Sequence, residues 1–231
     1  MSRRGDESRE SKIDEGTQKE NVLSKKLGLV LLLAVAVSLS LASVAFAQGT
    51  TTQRYFKADL NPLNRSGAEG TAIIKKEGRQ LTTRIYSTDM APKLPHAQHI
   101  HGFKQAVSEC PTLAADDNGD GLVNTVEGLP SYGPIQVSLT TRGDTSPDSA
   151  LAVSRFPVAN SGGFLRYERT FSVPRSVASN LGKKAIVQHG VDLNHNGRYD
   201  FRSAGRSELD PSLPQEATLP ATCGVINRVV W

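Results

Sequence analysis

Apolar and polar residues alternate with a period of two in several short stretches beyond residue 50. Tyr55–Leu60, Gly70–Lys76 and Gln80–Tyr86 follow this pattern, which puts successive side chains on opposite faces of a strand. Asn61-Pro62 ends the first stretch, and Glu77-Gly78 between the other two predicts a hairpin. A further strand is expected within Leu94–Phe103, after a Pro-rich turn, and others at Ile135–Thr140, Phe164–Val173, Lys184–His189 and Gly224–Val230. Helical signals are confined to Pro174–Gly182, with Pro at the start and Gly past the end. The pattern predicts an all-β chain, a Greek-key β-sandwich or flattened barrel with one short helix. Two connections, 104–134 and 190–222, are far longer than turns, and loops of that size usually carry function.

The first 47 residues read differently. Residues 1–26 hold seven basic and six acidic side chains with almost no apolar ones, the composition of a disordered tail. Lys25 and Lys26 then precede an uncharged apolar run, residues 27–47, ending in Ala45-Phe46-Ala47. A positive flank, an apolar region and a small-x-small triplet are the marks of a signal peptide. The run is also long enough to stay as a membrane anchor if uncleaved. Either way residues 48–231 are expected to form one exported β-sandwich domain, secreted or extracytoplasmic.

In that region 20 Lys and Arg stand against 17 Asp and Glu, scattered without a basic helix or an aromatic–basic alternation. Nothing there suits a nucleic-acid partner. The two cysteines, Cys110 and Cys223, are an even count in an oxidising compartment and predict one disulfide. No G-x-S-x-G elbow, H-E-x-x-H motif or phosphate-cradling Gly loop occurs.

Three of the five histidines fall within six residues, at His96, His99 and His101. On a strand His99 and His101 share a face, with Cα atoms about 6.5–7 Å apart, a separation at which two neutral imidazoles can converge on one metal ion. His96 follows Pro95 and belongs to the turn feeding the strand. A site of neutral imidazoles is expected to lose affinity as pH falls through about 6.5.

The first long loop carries Asp116, Asn118, Asp120, Gly121 and Glu127 at positions 1, 3, 5, 6 and 12 of a calcium-loop pattern. Its expected ligands are Asp116, Asn118, Asp120, the Leu122 carbonyl and Glu127. The second loop repeats the spacing with Asp192, Asn194, Asn196 and Gly197, but Ser203 stands where the terminal carboxylate belongs. Asx-turn chemistry accounts for the same residues there, and His195 within that loop is expected to be solvated.

HIHGF followed by Cys110 resembles the copper-ligand strand and disulfide loop of the copper/zinc superoxide dismutases. AIVQHGVD, with His189, is similar to a later strand of that family that supplies another copper histidine. ATCGVI, with Cys223, looks like its C-terminal strand and second disulfide cysteine. PHAQHIHG also resembles the CHRD domains, extracellular modules with such a histidine motif. The resemblance implies copper at His99, His101 and His189, with His96 a possible fourth ligand. It also has departures. No histidine lies between Cys110 and Ile135, where the dismutases carry bridging and zinc histidines. Pro220 stands at the position of their anion-guiding arginine. Two function classes follow: a zinc-free, copper-dependent dismutase, or a non-catalytic binding module stabilised by calcium and a disulfide.

Overall fold

The computed structural model describes residues 52–230. The expected tail, the apolar segment 27–47 and its proposed cleavage site lie outside the described residues. Nine strands form among the described residues: β1 (Gln53–Pro62), β2 (Glu69–Glu77), β3 (Gln80–Thr88), β4 (Gln98–His101), β5 (Ile135–Ser138), β6 (Leu165–Ser172), β7 (Ala185–His189), β8 (Pro220–Val225) and β9 (Asn227–Val229). They pair antiparallel in the order β5-β4-β7-β8-β1-β2-β3-β6, with β9 also on β1. The result is a curled, sandwich-like half-barrel.

The period-two pattern builds one half of it. Phe56, Ala58 and Leu60 of β1, Ala72 and Ile74 of β2, Leu81 and Ile85 of β3 and Leu165 of β6 all turn inward, while their neighbours face out. Each fully buried Leu, Ile or Phe among them contributes roughly 1.5–3 kcal/mol. The β2–β3 hairpin closes through Gly78-Arg79, and Gly78 takes the left-handed φ of +60° that a two-residue turn requires at its first position.

β4, β7 and β8 read differently because both of their faces are covered: nearly every residue in them is buried. β1 joins the halves, pairing β9 through Tyr55–Lys57 and β8 through Asn61 and Pro62. Across the open side, Arg169 Nη1 of β6 donates to the Thr140 carbonyl and hydroxyl, both at 2.7 Å.

The chain departs from expectation in two elements. The last predicted strand is two, β8 and β9, broken at Ile226, whose amide donates to the Lys184 carbonyl at 2.8 Å. Three short helices form among the described residues rather than one: α1 (Thr125–Tyr132), α2 (Arg175–Ser179) and α3 (Gln215–Thr218), with several 3-10 turns. Gly128 and Pro130 depress the helix propensity of α1 and hide it from a periodicity reading. Its start is written in a capping box instead. The Asn124 side chain accepts from the amides of Val126 and Glu127, and Glu127 reaches back to the Asn124 amide.

Cys110 and Cys223 form the predicted disulfide, with Cα atoms 5.7 Å apart. It ties the loop after β4 to β8 across 113 residues of chain. In the chain-entropy view a closure of that length stabilises by roughly 4–5 kcal/mol.

Candidate metal centre

β4 and β7 place the imidazoles. His99 lies opposite Val187 and His101 opposite Ala185 in the antiparallel register, so His189, two residues past Val187, shares their face. The three rings meet with centroids 5.6 Å (His99–His101), 5.2 Å (His99–His189) and 6.1 Å (His101–His189) apart. Their ligand nitrogens, one from each, lie within 4.8 Å of one another, and all three residues are buried. A trigonal ion at about 2 Å from each nitrogen needs them about 3.5 Å apart, a ring movement of about an ångström.

The far side of each ring is fixed by a backbone carbonyl. His99 Nε2 faces the Ala150 carbonyl at 3.1 Å, His101 Nδ1 that of Gly133 at 2.8 Å, and His189 Nδ1 that of Thr218 at 2.7 Å. A carbonyl only accepts, so in each ring the nitrogen facing it carries the proton and the other keeps a free lone pair. Those other nitrogens, His99 Nδ1, His101 Nε2 and His189 Nε2, are buried and have no hydrogen-bond partner among the described residues. Three orphaned lone pairs in one buried cluster are the arrangement of a site that chelates a metal ion.

Burial keeps the rings uncharged. It pushes His101 down to about 3 and His189 to about 4, and drives His99 well below the usual imidazole range. For His99 and His101 the neighbouring imidazoles push in the same direction. Phe156 packs edge-on to His99 and Tyr132 edge-on to His101, at 5.3 and 4.5 Å between centroids. Tyr132 is itself held by a hydrogen bond from its hydroxyl to the Thr125 carbonyl. Gly133, at φ +81°, passes so close to Gly102 that a Cβ would meet the Gly102 carbonyl carbon at 2.8 Å. That close approach brings the Gly133 carbonyl to His101.

His96 is not brought into the cluster. Its Nδ1 lies 2.9 Å from the His189 carbonyl and its Nε2 3.0 Å from that of Ala91, so both ring nitrogens face backbone. His195 is exposed on its loop. Beside His99 and His189 lies a small pocket walled by Pro95, Ala150, Leu151, Val153 and Leu213, with no lysine or arginine among its lining residues. Pro220 pairs with His189 across β7 and β8. Arg206 instead stacks on Phe201, and Arg202 lies by Asp200.

The two acidic loops fold alike. In the first, Asp116 accepts from the amides of Gly119, Asp120 and Gly121, Asn118 from Asp120, and Asp120 from Leu122. Glu127 closes it: Oε1 accepts from Asp117 and Asn118, and Oε2 from Asn124. In the second, Asp192 accepts from Asn196 and Gly197, Asn194 from Asn196, and Asn196 from Arg198. Among the described residues Ser203, the twelfth of the loop, bonds only Asn194. The closing carboxylate comes from Glu216 of α3, whose Oε1 accepts from Leu193 at 3.0 Å and Oε2 from Asp200 at 2.8 Å. Those amides are the second and ninth of their loop, as Asp117 and Asn124 are of the first. Glu216 therefore takes the place of Glu127. Nothing in the spacing of the sequence announces a carboxylate so far from the loop it closes.

No protein-family model and no curated protein matches the chain.

Proposed function

We propose that the chain is an exported, non-catalytic binding module, CHRD-like in character. In this reading it holds one copper ion through His99, His101 and His189 and calcium in its acidic loops. The observation that carries it is the set of three buried, unpartnered imidazole nitrogens on one sheet face. Imidazole donors suit copper, and among first-row divalent ions copper binds such a set most tightly. Calcium would take the oxygens of Asp116, Asn118, Asp120, Leu122 and Glu127 in the first loop. In the second it would take those of Asp192, Asn194 and Asn196, with Glu216 as the closing carboxylate.

Two features favour holding the metal over turning over an anion. The pocket beside His99 and His189 is apolar, and the neighbour of His189 on β8 is Pro220, not a cation. A superoxide anion entering such a pocket would be desolvated with no side-chain cation on its walls to guide it to the metal. The second reading, a zinc-free copper dismutase, rests on the same three imidazoles. Metal content of the purified exported region, measured with superoxide decay, separates them. Stoichiometric copper with decay at the buffer rate supports the module. Copper-dependent acceleration that disappears in His189→Ala supports the dismutase.

A further inference from the structure

Each acidic loop is joined by a short run of chain to one imidazole of the cluster. Glu127 closes the first loop from the first turn of α1, and the residue that caps the C-terminus of α1, Gly133, presents its carbonyl to His101 Nδ1 at 2.8 Å. Glu216 closes the second loop from α3, and the last residue of α3, Thr218, presents its carbonyl to His189 Nδ1 at 2.7 Å. The two helices also touch: Thr125 Oγ1 of α1 donates to that same Thr218 carbonyl at 2.6 Å.

A four-residue helix has no stability of its own, because a single turn fixes many dihedrals for one hydrogen bond. The place of α3 is therefore set by what grips it. Glu216 is fully buried and holds both ends of the 192–200 loop, while its own carbonyl accepts from Val191 at 2.9 Å. Moving this turn moves the Thr218 carbonyl, and with it the bond that leaves His189 Nε2 bare. α1 depends in the same way on Glu127, since Gly128 and Pro130 weaken its interior.

We infer that Glu127 and Glu216 are positioning residues, through which the two acidic loops fix the tautomer and placement of His101 and His189 respectively. Neither carboxylate touches the imidazole cluster; each acts through its helix on the carbonyl that holds the far ring nitrogen. Losing a group that orients a metal-bound histidine weakens metal binding 10–100-fold, and a group acting through a helix turn belongs at the lower end, about tenfold. The inference rests on the copper reading only for its affinity arm. Its tautomer arm concerns the metal-free protein.

The experiment is two-bond proton–nitrogen correlation on the metal-free full chain with labelled histidines, followed by copper titration. In the wild type His101 and His189 should each show the Nδ1–H tautomer alone, and His99 the Nε2–H tautomer. Glu216→Gln should mix the tautomers of His189 and leave His101 pure, while Glu127→Gln should mix those of His101 and disturb His189 less, since α1 reaches the Thr218 carbonyl only through Thr125. Each should lower copper affinity about tenfold. His99, held by Ala150 from a different segment, should be unmoved in both, and so reports that the variants are folded. Glu127 is only half-buried, so Glu127→Gln keeps the test open should Glu216→Gln fail to fold. Unchanged tautomers in the folded variants overturn the inference, as does an equal disturbance of both rings by either substitution. A wild type with the expected tautomers that takes up no copper overturns the functional reading instead and leaves this inference standing.

Discussion

His189 Nδ1 and the Thr218 carbonyl lie 2.7 Å apart, and that one contact decides which nitrogen of His189 keeps a lone pair. The same logic holds at His99 and His101, so the site is built as much from Ala150, Gly133 and Thr218 as from the imidazoles they face.

The pH dependence of the metal-free protein follows from the depressed histidines. His101 and His189 titrate near 3 and 4 when folded, against 6.5 for an ordinary imidazole. Between about pH 6.5 and 4 the unfolded chain takes up protons that the folded chain refuses. This part of the stability is complete above 6.5 and is lost as pH falls through that window, by up to about 1.4 kcal/mol per pH unit for each ring. Denaturant unfolding at pH 7.5, 5.5 and 4.5 should show the decline, and His101→Phe should flatten it. A stability independent of pH over this range would contradict the assignment. Copper affinity of the folded protein should hold well below pH 6.5, because its rings are already unprotonated; the sequence alone placed that loss near 6.5.

Reducing the Cys110–Cys223 bond reopens a closure of 113 residues. A loss of roughly 4–5 kcal/mol lowers the melting temperature of a domain this size by roughly 10–20 °C. Calorimetry with and without reductant measures it, and the Cys110→Ala, Cys223→Ala double variant should match the reduced wild type. Equal melting temperatures in the two states would rule out the closure as a stabilising element.

Histidine chemistry was legible in the sequence where it depends on parity. His99 and His101 share a face because a strand alternates; His189 was suggested only by a family resemblance, and it is the register of β7 against β4 that brings it to that face. The alternating strands of the β1–β3 half were legible for the same reason. Helix α1 was not, since Gly128 and Pro130 mask it, although Asn124 and Glu127 carry its capping box. Nor was the role of Glu216, whose partners Leu193 and Asp200 lie 23 and 16 residues away. The engagement of His96 with the carbonyls of Ala91 and His189 is a product of tertiary packing that no local spacing encodes.

Calcium should stabilise the fold through both acidic loops. With a dissociation constant of order 10⁻⁴–10⁻³ M, the range of extracellular calcium modules, a 100-fold excess adds roughly 2.7 kcal/mol per site. Thermal unfolding with calcium and with chelator should show a shift in the wild type that shrinks in Glu127→Ala and in Glu216→Gln. It should vanish when the two are combined. A shift that survives the double substitution would place the cation elsewhere.

Copper titration followed by electron paramagnetic resonance tests the imidazole centre most directly. The wild type should bind one copper ion with nitrogen hyperfine structure from the ring nitrogens of His99, His101 and His189. His195→Ala should leave that spectrum as it is, while His101→Ala and His189→Ala should each change it and weaken binding severely. A spectrum and affinity unchanged in both of those variants would contradict the three-histidine site.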